Sequence, residues 1–381
     1  MGNKATVLLI ALLLLAAVPE GGCGGSFFDV AGTSSSSSGG SSGGGGASGG
    51  VGFVYVTNFD GNISEFKVSS TNGSLSLIGT VSGGSASGPV GIVAHPSNNY
   101  LYVANFADDL VHQYSVNSSS GKLTSIGTIS TGSNGGANGI TVTPSGNYAY
   151  VTNQTSGTIA QYSIAANGTL TSIGTIGSLD TPEGVTTDGS YVYLAETGAG
   201  MVDSFSIGTT GLLTLVGKVL VEGTSSGSPS QVALDSSESY LYATDTANGM
   251  VAVFSIASGV LSFVDGFTTG TSSDQPVGIA VRPGGSYLYT ANMAANTISE
   301  YAIVQDGAVL DSSGGVTGLD TPTGIAVNSG ANLVYVTNEG NGTVSEFSVD
   351  VATFALDYIG AVNTESNNNT GSSPRFITTV P

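Results

Sequence analysis

From about residue 52 onward, apolar and polar side chains alternate in short runs separated by Gly, Asn, Asp, Ser and Pro. SYLYTAN (286–292) and NTISEYAI (296–303) show the pattern, and turn-like FDGN (59–62), TSGT (155–158) and GNGT (340–343) close such runs. A period of two bounded by turn formers predicts half-buried β-strands, with Gly or Asn where a positive φ is needed. The pattern repeats as a unit. Its most regular part is a tetrad: YVTN (55–58), YVAN (102–105), YVTN (150–153), YLAE (193–196), YATD (242–245), YTAN (289–292) and YVTN (335–338). Successive tetrads lie 47, 48, 43, 49, 47 and 46 residues apart. Seven copies at that period predict an all-β, seven-bladed propeller of four-stranded blades.

Each unit reads as four strands. A short apolar strand such as GIAVRP (278–283) comes first, the tetrad strand second and a strand like NTISEYAI third. The fourth is clearest in GKLTSIGTI (121–129) and GTLTSIGTI (168–176). The third strand carries one large ring per unit: Phe66, Tyr114, Tyr162, Phe205, Phe254, Tyr301 and Phe347. A ring at one fixed place in every unit predicts packing between blades. No copy of the first strand precedes the tetrad at 55–58, and its seventh copy is RFITTVP (375–381), the chain end. The C-terminal strand is therefore expected to pair around Val54–Thr57, closing the ring and removing exposed edges. VYVTNFDGNISEF (54–66) and VYVTNEGNGTVSEF (334–347), nearly the same phrase, then sit in adjacent blades at the seam.

The first 51 residues follow other rules. Lys4, the apolar run VLLIALLLLAAV (7–18) and PEGGCGG (19–25) have the order of a secretory signal. The run is too short to span a bilayer comfortably. Gly-Gly-Cys resembles the end of a bacterial lipobox, which would make Cys23 the acylated N-terminus of the mature chain, although Glu20 stands where Leu is usual. The other reading is an ordinary signal peptide cut near a free cysteine. SSSSSGGSSGGGGASGG (34–50) is expected to be a flexible tether with a reach of roughly 20–25 Å. The expected organisation is a signal with lipobox at 1–23, a linker at 24–51 and the propeller at 52–381.

Composition narrows the partners. The net charge is −20, with six Lys plus Arg, so nucleic acid and basic-patch membrane binding are not expected. One cysteine excludes an intrachain disulfide, and no Cys/His cluster has transition-metal spacing. No metal or cofactor is expected. The candidate cation site is a rim of carboxylates after the second strands: Asp60, Asp108, Asp109, Glu196, Asp245 and Glu339. These are spread over several blades, whereas Ca²⁺ needs six to eight oxygens within about 2.6 Å. His95 ends an innermost strand and His112 lies within a third strand. Each is expected in a structural or solvent role, because a lone His lacks ligand or base partners.

The seven tetrads over about residues 52–381 resemble the YVTN family of seven-bladed propellers. That family lies close to bacterial and archaeal surface repeat proteins and to the propeller lactonases, similar to 6-phosphogluconolactonase. The resemblance implies an extracytoplasmic propeller in which ligands bind where the innermost strands begin. The residues at that mouth are Val90, Asn138, Glu183, Ser230, Gln231, Val277, Thr323 and Arg375. Asn138, Glu183, Gln231, Thr323 and Arg375 are the candidate ligand contacts. Enzymatic relatives often carry Pro-His here and continue the second strand into Asp-Leu-Gly; this chain has neither.

Glu183 and Arg375 hold equivalent positions three blades apart. In a lactonase they would supply a base for water and a cation for the oxyanion. Across about 10 Å their attraction would be roughly 0.4–1.7 kcal/mol, which would lower the pKa of Glu183. The expected function is that of a monomeric, lipid-anchored or secreted binding or structural module of the cell envelope, its partner a small polar ligand or an envelope protein. The alternative is a lactonase-like hydrolase acting at the axial mouth.

Overall fold

The computed structural model describes residues 52–380 apart from short segments at 85–87, 222–226, 285–286, 305–308, 329–331, 351–352, 354 and 366–371. The expected signal, Cys23 and the Gly/Ser linker lie outside the described residues. Among the described residues the chain forms 28 strands, numbered β1–β28, in seven antiparallel four-stranded sheets. The first sheet unites the two chain ends. It runs β28 (Pro374–Val380), β1 (Phe53–Asn58), β2 (Asn62–Val68), β3 (Leu75–Ser82) from axis to rim. Val54 pairs with Thr379 and Val56 with Ile377, so the C-terminal strand pairs around Val54–Thr57 as the sequence leads one to expect.

The other innermost strands are β4 (Pro89–Ala94), β8 (Ala137–Val142), β12 (Pro182–Thr187), β16 (Pro229–Leu234), β20 (Pro276–Val281) and β24 (Pro322–Asn328). They start earlier than the Gly-led sequence pattern suggests, most of them on a proline. Pro lacks an N–H and is tolerated at the first residue of a strand. The mouth residues are thus second in each innermost strand, not before it. A register shift follows at once: Pro182 faces Glu196, then Val185 faces Leu194. The same shift occurs between Ala137 and Ile140 and between Pro229 and Val232. One extra residue on the inner strand makes a β-bulge, which re-aims a side chain at a strand end.

The tetrad side chains join neighbouring blades. Tyr55, Tyr102 and Tyr150 are fully buried, and their hydroxyls donate to the carbonyls of Gly121, Gly168 and Gly211 in the next blade at 2.7–2.8 Å. The tetrad threonine works nearer the axis. Thr152 Oγ1 donates to the Glu183 carbonyl at 2.5 Å and accepts from the Gly139 amide at 2.8 Å. A Cβ at Gly139 would lie 2.3 Å from that same carbonyl oxygen, so only glycine lets the innermost strands approach this closely. On the third strands, Glu65 and Gln113 accept from the Leu123 and Leu170 amides of the following blade. The third-strand rings Phe66, Tyr114, Tyr162, Phe205, Phe254, Tyr301 and Phe347 are all essentially buried, which confirms their packing role. Apolar clusters therefore form between sheets. At the seam, Tyr55, Ile63 and Val380 pack with Leu101 and Val103 on one side, while Val54, Val56 and Ile377 pack with Tyr335 and Val344 on the other.

Candidate functional site

The bulge in β12 places Glu183 among groups from both neighbouring blades. Gln154, in the loop after β9 (Tyr148–Asn153), donates through Nε2 to Glu183 Oε1 at 2.6 Å. Ser230, second residue of β16, donates through Oγ to Oε2 at 3.1 Å. Asn138, second residue of β8, donates to Gln154 Oε1 at 3.3 Å. A polar chain Asn138–Gln154–Glu183–Ser230 thus crosses three consecutive blades at the start of their innermost strands. Burial raises the Glu183 carboxyl to about 6, against the lowering effect of bonds from Ser230, Gln154 and Thr197. The sequence reading expected Arg375 to lower it; desolvation and local donors set the value instead.

Arg375 is committed elsewhere. Its Nη2 lies 2.6 Å from Glu339 Oε1, and its guanidinium carbon sits 5.1 Å from the centre of the Phe59 ring. Thr323 is buried, with its hydroxyl bonded to the Pro374 and Arg375 carbonyls. Gln231 is buried against Gly184 and its backbone N–H donates to Thr244 Oγ1. Both lie in the wall of the mouth. Val90 and Val277 bring no polar side chain to it.

The expected acidic rim is largely turned inward. Asp108 Oδ2 pairs with His112 Nε2 at 2.9 Å, which gives His112 its structural role. Asp245 is fully buried and caps its own loop through the amides of Ser228 and Ala247. Asp109 accepts from the Gly136 amide. No group of three or more His, Cys, Asp or Glu among the described residues is placed to hold a metal ion. His95 lies in a polar groove of about 360 Å³ with Tyr100 and Ser145. Its ring nitrogens engage Ser97 Oγ and the Gly146 carbonyl, and burial lowers its pKa.

Glu196 belongs to a cluster that sequence reading missed. It ends β13 (Tyr191–Glu196) and, with Asp203 on β14 (Met201–Ile207), is almost wholly buried. Lys218 Nζ reaches Glu196 Oε2 at 2.5 Å and Asp203 Oδ2 at 2.9 Å. Burial raises the Asp203 carboxyl to about 7, with Lys218 opposing. A raised folded-state pKa means the folded protein binds the proton more tightly than the unfolded chain. This group's contribution therefore favours folding in acid and declines as pH rises through about 7. Lys218→Met leaves two buried carboxylates without a cation, which is expected to lower Tm by about 5–15 °C at pH 7.5. At pH 5 the deficit should shrink by half or more, as Asp203 protonates and donates to Glu196. Thermal melts at both pH values check this; a pH-independent deficit refutes it. The one signal in sequence was the tetrad YLAE, with Glu where most copies have Asn.

The family model described as a lactonase, seven-bladed β-propeller, matches residues 61–226, 108–277 and 218–317, which together run from 61 to 317. The chain belongs to this lactonase propeller family. A comparison with curated proteins found no match. Among solved structures, a candidate 6-phosphogluconolactonase of Bacteroides fragilis superimposes with a TM-score of 0.75 at 18% identity, covering 87% of this chain and 98% of the other. The periplasmic gluconolactonase of Pseudomonas aeruginosa gives 0.75 at 17% identity, with 87% and 99% covered. Hydrazine synthase of Kuenenia stuttgartiensis gives 0.61 at 17%, with 78% and 95% covered. Likenesses at this identity establish the fold. In this lactonase-family propeller, structure brings Asn138 and Glu183 into one network and separates Arg375 into another. Gln154 and Thr197 joined the Glu183 group unforeseen, because each sits one residue past a tetrad in a loop of ordinary turn composition.

Proposed function

We propose that this propeller hydrolyses a lactone at its axial mouth. The observation that supports it most directly is Glu183, a partly buried carboxylate with its pKa raised to about 6 and its orientation held by Gln154 and Ser230. A general base works best with a pKa near the operating pH. Family membership and relatives described as a gluconolactonase and a candidate 6-phosphogluconolactonase point the same way. In the proposed step, Glu183 takes a proton from water as the water oxygen bonds to the lactone carbonyl carbon. The ring C–O bond then breaks, and the proton on Glu183 passes to the leaving alkoxide, giving the open hydroxy acid.

The test is hydroxy acid formation from a panel of sugar and aromatic lactones, corrected for the uncatalysed rate. At least one should turn over, with kcat/KM rising through about pH 6 as Glu183 ionises. No rate above background on any lactone would leave the propeller as a ligand-binding module.

The site is proposed to work outside the cytoplasm, tethered through an acylated Cys23 and the Gly/Ser linker. The native protein should then partition into the detergent phase of membrane extracts, and Cys23→Ala should release it to the aqueous phase. Identical partitioning of the two would sink the anchor.

A further inference from the structure

A lactone bearing a phosphate brings up to about two negative charges at neutral pH, and proteins that take such groups meet them with Arg or Lys forks. The positive groups of this chain are spent elsewhere. Of its six Lys and Arg, Lys4 lies outside the described residues. Lys122 is bonded to Glu65 and the Ile78 carbonyl, and Lys218 to Glu196 and Asp203. Lys67 pairs with Phe53, at the opposite end of β1 from the mouth, and Arg282 follows the far end of β20. Arg375 is the only Lys or Arg among the described residues at the start of an innermost strand, and Glu339 Oε1 lies 2.6 Å from its Nη2. Its positive charge is therefore balanced in place.

What remains at the mouth is negative or neutral. Glu183 ionises above about pH 6. Asp60, in the turn between β1 and β2, adds a further carboxyl on this face, its pKa raised to about 6 by burial and by its neighbour Glu365. Asn138, Gln154 and Ser230 offer uncharged donors and acceptors beside Glu183. That set matches hydroxyl groups and gives a phosphate no counter-charge. Specificity built this way works by repelling the wrong ligand as much as by binding the right one.

We infer that the site takes neutral, polyhydroxylated lactones and rejects their phosphorylated counterparts. This rests on the lactonase reading above. The experiment compares glucono-1,5-lactone with its 6-phosphate. The neutral lactone should show a kcat/KM at least about a hundredfold higher, since a like-charge contact in a site is strongly unfavourable. Raising the salt should improve kcat/KM for the phosphorylated lactone and leave the neutral one unchanged, because screening weakens repulsion. Glu339→Gln, which uncovers the Arg375 charge, should raise the phosphorylated-to-neutral ratio by about tenfold. Equal or better turnover of the phosphorylated lactone overturns the inference and leaves the lactonase reading standing. So does a ratio unmoved by Glu339→Gln. Turnover of neither lactone, with other lactones accepted, refutes the inference alone; turnover of no lactone at all refutes both.

Discussion

Deleting residues 375–381 is expected to leave the protein largely unfolded or aggregated at temperatures where the full chain is native. The loss falls on the first blade, whose innermost strand is supplied by the chain end. Ile377 is fully buried and Val380 nearly so, and burial of each contributes about 1.5–3 kcal/mol. The deletion also strips β1 of its partners at Phe53, Val54, Tyr55 and Val56. Thr337 loses the Arg375 carbonyl, which ties the last blade to the first, and Thr57 loses the Phe376 carbonyl within the first blade itself. Net stabilities of domains are about 5–15 kcal/mol, so these losses are comparable with the whole. The exposed edge of β1 then invites pairing between molecules. Size-exclusion and circular-dichroism melts of the two chains decide the matter. A truncated protein that melts like the full one would show that β28 does not hold the ring.

Glu183→Gln is the second large effect expected, and it falls on rate. The amide keeps the shape and can still accept from Gln154, but it cannot take a proton from water. If Glu183 is the base, kcat/KM should fall about a hundred- to ten-thousandfold, and the limb rising through pH 6 should vanish. Stability should move little, and in a defined direction. Burial raises the Glu183 pKa, so its ionised form costs stability above about pH 6. At pH 7.5 the variant should melt at the same temperature or slightly higher, and at pH 5 that small advantage should disappear. A variant that keeps its rate and pH profile would remove Glu183 from the chemistry. One that loses rate only because it unfolds would show the opposite thermal change.

The propeller was legible because its information is local and repeated. Alternation along each strand, a tetrad at near-constant spacing and one ring per third strand all describe a residue's relation to its own blade. Seven repetitions leave one way to bury those faces, and a missing first strand with a spare last one determines how the ring closes. The candidate site was legible only as positions. Asn138, Glu183 and Arg375 were placed at the mouth by their offset from the repeat, but their partners come from other blades. Gln154 reaches Glu183 from 29 residues away and Ser230 from 47, while Glu339 holds Arg375 across the seam. The bulge that re-aims the second residue of each innermost strand leaves no mark in the alternation of apolar and polar residues. The charge state of Glu183 was decided by tertiary structure alone. Sequence shows the pair of opposite charges, but desolvation depends on how closely neighbouring blades pack, and here burial outweighs the bonds from Ser230, Gln154 and Thr197.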